Sequence, residues 1–192
     1  IKKMLALKFL SYKLYKMFEF PKVFPMNITL GLSYKCNSRC KTCNIWKKRN
    51  FNKEFTLEEF AKFFKKIGKG KVYLLILTGG EPFLHKDLVK IVGLAEKYIN
   101  PETIVIPTNA LLGDLVVEKT KLILDKLGKT HLTLNISLDG IGEEHDNIRG
   151  VKGNFKKIEK IYPKLKKLEK IHKNFDVGIH SVVSKFNNAN LR

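Results

Sequence analysis

An alternation of short apolar segments with longer segments of helical periodicity constrains the fold of this chain more than any other feature. Residues 72–77 form a continuous apolar run, as expected of a parallel strand covered on both faces, whereas residues 26–32 alternate between apolar and polar positions. Strands that alternate with helices predict an α/β fold of right-handed β-α-β units. The predicted strands are 26–32, 72–77, 103–107, 131–138 and 177–183, and the predicted helices are 1–20, the segment between Thr56 and Gly68, 87–98, 114–127 and 154–172.

Polar residues and glycines follow three of the predicted strands at the point where each strand ends. The second strand runs into Thr78 to Pro82, the third into Thr108 and Asn109, and the fourth into Ser137 to Gly140. The carboxyl ends of parallel strands meet at one edge of a sheet, which is where α/β barrels place their active residues. The sequence therefore predicts a functional site at this rim.

All three cysteines of the chain, Cys36, Cys40 and Cys43, fall within eight residues directly after the first predicted strand. A disulfide would strand one of them and no secretory signal precedes them, so we expect a reducing, cytoplasmic environment. Thiolates this close together suit an iron–sulfur cluster or zinc. A closed zinc site would need His85 or His131 as its fourth ligand, whereas three cysteines alone leave one metal position open.

The chain is strongly basic, with 37 lysines and arginines against 18 acidic residues. This balance favours nucleic acid, anionic membranes or phosphorylated substrates as partners, although most of the excess is lysine scattered over a solvated surface. One alternative function is therefore a non-catalytic zinc or iron–sulfur binding module with a basic nucleic-acid-binding surface. No apolar run is long enough to span a bilayer.

The first 25 residues are expected to form a leader that is separate from a core domain at 26–192. Residues 1–20 mix lysines with large apolar residues, as in a basic amphipathic helix, and Pro21 and Pro25 interrupt the chain behind them. Such a helix either makes peripheral contact with a membrane or packs across the bottom of the domain.

Four motifs in order along the chain resemble the radical S-adenosylmethionine (radical SAM) superfamily. They are Cys-x3-Cys-x2-Cys at 36–43, Gly-Gly-Glu at 79–81, Ser-Leu-Asp-Gly at 137–140 and His-Asp-x-Ile-Arg-Gly at 145–150. The resemblance runs from about residue 26 to 188 and is strongest to members that add a C-terminal auxiliary-cluster (SPASM-like) domain. It implies a partial (β/α) barrel with parallel strands and outer helices.

The resemblance also implies a chemistry. In this family three thiolates hold a [4Fe–4S] cluster, and S-adenosylmethionine (SAM) binds the fourth iron. Reductive cleavage of SAM gives a 5′-deoxyadenosyl radical that abstracts hydrogen from a substrate. For this chain the substrate is unidentified, with a peptide, RNA or a lipid as possibilities, and the electron would come from a donor such as ferredoxin or flavodoxin.

Further site residues are assigned by resemblance to the same family. Gly79 and Gly80 would let the backbone approach the methionyl ammonium of SAM, and Glu81 would place negative charge near that ammonium. A side chain at Gly80 should then displace SAM and leave the cysteine loop intact. The remaining predicted contacts with the ribose or the methionyl group are Thr108, Asn109, Ser137 and Asp139, with Arg149 pairing with the SAM carboxylate.

Two departures from the family pattern are visible. Thr42 stands before the third cysteine, where family members often have an aromatic residue. Family cores usually have six β/α units, whereas the printed sequence ends at Arg192, shortly after the fifth predicted strand. We therefore expect an incomplete core, truncated after the fifth strand.

Overall fold

The computed structural model describes residues 2–20, 23–48, 54–70 and 72–190. Within these residues five strands form one parallel sheet, in the order in which they occur along the chain. The strands are β1 (Asn27–Ser33), β2 (Leu74–Gly79), β3 (Thr103–Thr108), β4 (His131–Ser137) and β5 (Phe175–His180). The α-helices are α1 (Lys2–Phe18), α2 (Leu57–Ile67), α3 (Leu88–Tyr98), α4 (Asp114–Leu124), α5 (Glu143–Arg149) and α6 (Asn154–Ile171).

The main core lies between the sheet and helices that cover one of its faces. Along β2, β3 and β4 fully buried side chains alternate with mostly half-buried ones. A strand order that follows the chain, with right-handed crossovers, places the helices on one side. The prediction that the second strand is covered on both faces is met only in part, because the side chains on its other face are half-buried. Each aliphatic side chain that is buried in this core contributes about 1.5–3 kcal/mol.

The second helix begins and ends where its sequence signals predicted. Thr56 accepts a hydrogen bond from the Glu59 N–H at 3.2 Å, and the Glu59 carboxylate accepts one from the Thr56 N–H at 2.8 Å. This reciprocal capping box satisfies two amide groups at the start of α2. Gly68, with φ of 76°, ends the helix.

The largest differences from prediction lie in the last third of the described residues. β5 starts two residues before the predicted strand and ends three residues earlier, because Phe175 and Val177 are buried in the core while residues 181–183 are exposed. Helix α5 was not predicted. Its seven residues, Glu143–Arg149, are mostly polar and too few to show helical periodicity.

Pro163 lies inside α6 without ending it. A proline removes one backbone hydrogen bond and normally kinks or breaks a helix. Pro163 and Glu159, whose carbonyl loses its partner, are both exposed, so water can hydrate that carbonyl. The opposite side of α6 is anchored by Ile158, Ile161, Leu165 and Leu168, all buried.

Helix α1 does not pack into the hydrophobic core through any side chain that the structure describes. Leu7, Phe9, Met17 and Phe18 are each at least 65% exposed. Packing of this helix across the bottom of the domain is therefore not seen for the α1 side chains that the structure describes. None of the helices formed by the described residues is both long and apolar enough to cross a membrane.

Candidate functional site

The rim formed by the carboxyl ends of the strands collects the predicted site residues. β1 leads into the cysteine loop, defined here as residues 34–44, and β2 ends at Gly79 in register with Ser33 of β1. β3 ends at Thr108, which is paired with Ile136 of β4. Ser137 is half-buried at the end of β4, opposite His180 of β5.

The three cysteines are all free thiols in different degrees of contact with solvent. Cys36 is half-buried, Cys40 is buried and Cys43 is exposed. Burial raises the pKa of the Cys36 thiol, and a hydrogen bond from the Ser38 backbone opposes that rise. The Glu81 carboxylate and the other two thiols raise the Cys36 pKa further, because they place negative charge nearby.

Each of the three sulfurs lies within hydrogen-bonding distance of at least one nitrogen donor. Such contacts stabilise thiolates and, in iron–sulfur proteins, help to set the reduction potential. The buried Cys40 sulfur also contacts the Ser38 hydroxyl at 3.2 Å. The nitrogen-to-sulfur pairs are Asn109 Nδ2 to Cys36 at 3.9 Å, Arg149 Nη1 to Cys40 at 3.5 Å, and the Ile45 backbone N to Cys43 at 3.5 Å.

Gly79 and Gly80 fit against the backbone that leads into the cysteine loop. Gly79 has φ of 129°, and a Cβ there would lie 2.3 Å from the Ser33 carbonyl oxygen. A Cβ on Gly80 would lie 2.1 Å from the Lys35 carbonyl oxygen. The expectation that a side chain at Gly80 leaves the cysteine loop intact is therefore wrong, since it would collide with the residue before Cys36.

The end of α5 holds the other side of the cysteine loop. The Arg39 N–H donates to the Arg149 carbonyl and the Lys41 N–H to the Ile148 carbonyl, each at 2.9 Å. A Cβ on Gly150, whose φ is 66°, would lie 2.5 Å from the Arg39 carbonyl oxygen. The Ile-Arg-Gly end of the fourth motif therefore positions the loop through its backbone, a role that sequence reasoning missed.

Glu81 is buried, with 2% of its surface exposed, and it ties the end of β2 to the end of β3. Its carboxylate accepts hydrogen bonds from the Thr108 hydroxyl at 2.9 Å, the Asn109 N–H at 2.7 Å and the Phe83 N–H at 3.1 Å. Burial raises the pKa of the Glu81 carboxyl, and these bonds offset part of that rise. Its predicted contact with the ammonium of SAM stays a prediction.

Asp139 and Arg149 form a buried ion pair beside Cys40. Arg149 Nε lies 2.9 Å from Asp139 Oδ2, although the two groups are not aligned for a hydrogen bond. The other carboxylate oxygen of Asp139 accepts the Val182 N–H at 2.9 Å. Arg149 thus joins β4, α5 and the cysteine loop, and its pairing with the SAM carboxylate stays a prediction.

A chain of buried polar side chains behind the rim was also missed. The Asp139 N–H donates to His145 Nδ1, and His145 Nε2 lies 3.1 Å from Asn154 Oδ1. Asn154 Nδ2 then donates to the Asn109 carbonyl at 2.9 Å. Burial lowers the pKa of His145, which favours the neutral ring with its proton on Nε2. His145 is thus a structural residue, and its place in the fourth motif was the available signal.

Of the two histidines considered for a closed zinc site, His131 lies away from the cysteine loop. His131 begins β4 at the opposite edge of the sheet, with Nε2 2.6 Å from Asp176. His85 is buried, and its Nδ1 accepts the Asp87 N–H at 3.2 Å. Within the described residues no three His, Cys, Asp or Glu side chains already converge on one metal position. This holds for the three cysteines as well. They are the thiols that one loop brings to the rim, and three thiols fit a cluster with one open position.

Comparison with known proteins finds relatives of this chain. AlbA, the antilisterial bacteriocin subtilosin biosynthesis protein of Bacillus subtilis (strain 168), is 30% identical over 138 residues, covering 71% of this chain and 29% of AlbA. GTP 3′,8-cyclase of Clostridium perfringens (strain 13 / Type A) is 30% identical over 164 residues, covering 81% of this chain and 46% of the cyclase. Across eight such relatives, these two included, the chain spans between 29% and 46% of the relative's own length.

Solved structures show the same fold. Native anSMEcpe with bound AdoMet and Kp18Cys peptide aligns with a TM-score of 0.67 and 20% identity, covering 88% of this chain and 46% of anSMEcpe. The predicted fold class, a parallel and open α/β barrel of the radical SAM type, is confirmed. The model of the Radical SAM superfamily matches residues 30–183. The chain therefore belongs to the radical SAM superfamily, whose cofactors are a [4Fe–4S] cluster and S-adenosylmethionine.

Proposed function

We propose that this chain carries the core of a radical SAM enzyme, with Cys36, Cys40 and Cys43 as the ligands of its [4Fe–4S] cluster. The observation that carries the proposal is the nitrogen donor near each of the three sulfurs, on one loop that follows the carboxyl end of β1. With a [4Fe–4S] cluster held by these three cysteines and SAM beside it, the chemistry supplied would be reductive cleavage of SAM to a 5′-deoxyadenosyl radical.

The chain's own residues would hold and orient these groups. Arg149, Ser38 and Asn109 fix the thiols of the loop through their contacts with sulfur, while Glu81 and Gly80 set where the loop lies relative to the ends of β2 and β3. Predicted contacts to SAM remain those of Gly79, Gly80, Glu81, Thr108, Asn109, Ser137, Asp139 and Arg149.

A direct test is the formation of 5′-deoxyadenosine. After anaerobic reconstitution, wild-type protein with dithionite and SAM should release this product, and each single cysteine-to-alanine variant at 36, 40 or 43 should not. Undiminished release by any one of these variants would remove that cysteine from the proposed ligands.

We propose a peptide as the substrate. The support is that AlbA is named for bacteriocin biosynthesis and that anSMEcpe was crystallised with a peptide. GTP is the natural comparison, because GTP 3′,8-cyclases are also relatives. The test adds either GTP or a short peptide encoded beside the gene and measures the rate of 5′-deoxyadenosine release. Acceleration by the peptide but not by GTP would support the proposal. Acceleration by GTP but not by the peptide would contradict it.

We also propose that the chain divides into a leader at 1–25 and a core at 26–192, and that the core works in the cytoplasm. A third proposal is that α1, in the leader, makes peripheral contact with membranes. The exposed Leu7, Phe9, Met17 and Phe18 support that contact, as does the absence of acidic residues from Lys2–Phe18. Co-sedimentation of the protein with vesicles of anionic phosphatidylserine, but not with neutral phosphatidylcholine vesicles, would test it. Equal sedimentation with both would argue against it.

A further inference from the structure

A shallow groove lies between α2 and α3, on the side of the sheet that the helices cover. Its volume is about 490 Å³. Leu57, Val89 and Leu94 pack against the hydrophobic core and are only half-buried, so each of them still presents apolar surface to the groove. We call this surface the α2–α3 groove, and its apolar walls consist of Leu57, Ala61, Val89, Gly93 and Leu94.

Gly93 lines the groove at a position where the fold does not need a glycine. It lies in the interior of α3, where glycine destabilises a helix relative to alanine. Among the described residues, a Cβ at this position would meet only the Lys126 side chain, at 3.9 Å, which is an ordinary contact distance. The missing side chain therefore keeps the groove open on the α3 side, as the small Ala61 does on the α2 side.

The charges along the margins of the groove are distributed unequally. At the end where α2 and α3 begin, Glu58 lies beside the groove, and Lys90 pairs with Asp87 at 3.1 Å. Lys97, in the last turn of α3, and Lys126, which follows α4, line the other end. Neither of these two lysines forms an ion pair with a carboxylate among the residues that the structure describes. The groove therefore has an apolar middle and unpaired positive charge at one end.

The exposed helix of the chain itself does not match this groove. Helix α1 presents large apolar side chains to solvent, but Lys2–Phe18 contains lysines and no acidic residue. If α1 of the same or of a second copy lay in the groove, its lysines would face Lys97 and Lys126, and like charges repel each other. A helix that carries Asp or Glu beside its apolar face would be attracted instead. The charge of the groove therefore favours an acidic partner that is a different protein.

We propose that the α2–α3 groove binds an acidic amphipathic helix of another protein. Helices α2 and α3 have 11 residues each, which gives them a length of about 16 Å, so a partner helix of about three to four turns covers the groove. Recognition of this kind seats apolar side chains of one helix face in the groove. A large apolar side chain of the partner would lie over Gly93, and its carboxylates would lie beside Lys97 and Lys126. The inference concerns the helical side of the sheet and does not depend on the proposed function.

The test measures the affinity of the full chain for two labelled synthetic peptides by fluorescence anisotropy, at low and at high salt. The acidic peptide forms about four helical turns, with leucines along one face and glutamates beside them, and the basic peptide has lysine in place of each glutamate. Gly93→Leu fills the groove, and Lys97→Glu with Lys126→Glu reverses its charge. The matched control is Lys167→Glu with Lys170→Glu, because these exposed lysines lie on α6 and form no ion pair with a described carboxylate.

At low salt the wild type should bind the acidic peptide about tenfold more tightly than the basic peptide, and high salt should reduce this preference. Gly93→Leu and the charge-reversed variant should each bind the acidic peptide about tenfold more weakly, without a lower thermal unfolding midpoint. The control should resemble wild type.

Four results would overturn the docking surface: no binding of the acidic peptide by wild type, equal affinity for both peptides, undiminished binding by Gly93→Leu, or an equal loss in the control. Analytical ultracentrifugation adds a further check. If the wild type formed dimers and Gly93→Leu did not, the groove would hold a second copy of this chain, which would also overturn the proposal.

Discussion

Arg149 Nη1 lies 3.5 Å from the sulfur of Cys40, and the carbonyl of the same arginine accepts the N–H of the neighbouring Arg39. One residue therefore orients a cysteine through its side chain and the surrounding loop through its backbone. Since its Nε also pairs with Asp139, Arg149 connects the proposed cluster ligand to the end of β4.

Removing the arginine side chain should destabilise the fold strongly. Arg149→Met leaves the buried Asp139 carboxylate without its cation, which should lower the free energy of unfolding by about 3–5 kcal/mol. Arg149→Met combined with Asp139→Asn should recover much of that loss, because no charge is then left unpaired. Urea denaturation of the three proteins measures both effects, and a double variant no more stable than Arg149→Met would show that the ion pair is not the cause.

The contact with sulfur should be visible in the reduction potential of the cluster. Arg149→Lys keeps a cation that can pair with Asp139 but loses the planar group that reaches Cys40. Because a donor at sulfur stabilises the reduced cluster, the variant should have a lower potential. A potentiometric titration followed by electron paramagnetic resonance measures this, and an unchanged potential would show that the Arg149 contact has no influence on the cluster.

Gly80 should tolerate no side chain. Gly80→Ala brings a Cβ into the Lys35 backbone, so we expect a displaced cysteine loop and less iron bound per chain. Gly93→Ala is the matched control, since its Cβ would meet only the Lys126 side chain, at 3.9 Å. That control should bind iron like wild type and gain up to about 1 kcal/mol of stability, because alanine favours helices. Normal iron content in Gly80→Ala would mean that the cysteine loop can shift to accommodate the added Cβ and still bind iron.

The fold class was accessible from the sequence because apolar periodicity and strand-end glycines are local signals. The same signals could not show that one face of the sheet is less covered than the other, because that depends on the handedness of every β-α-β connection. The cysteine loop was identified from Cys36, Cys40 and Cys43 alone. The sequence did not reveal the backbone hydrogen bond between Arg39 and Arg149, because the identity of a residue does not show which partner its backbone groups bind.

His145 should make stability depend on pH in a defined direction. Burial holds the folded-state pKa of His145 below its unfolded value of about 6.5, so the unfolded chain binds more protons as pH falls. Stability from the neutral ring is present above that value and is lost as pH falls below it. The groups that act on the ring are Asn154, Arg149, Asp139 and Asp146, with Arg149 favouring the neutral form and the others opposing it.

His145→Asn keeps an acceptor for the Asp139 N–H and removes the titration. Denaturation midpoints of the variant and the wild type are measured from about pH 7.5 down to about pH 5, the range in which histidine titrates. The two sets of midpoints should converge as pH falls. Parallel curves would show that His145 does not contribute to the pH dependence.

The central claim is that three thiols at the strand-end rim hold a [4Fe–4S] cluster with an open position. The most direct measurement is the metal and sulfide content of anaerobically purified protein, taken together with SAM binding. The account predicts brown protein with about four irons and four sulfides per chain that binds SAM. Colourless protein with one zinc per chain and no affinity for SAM would contradict it.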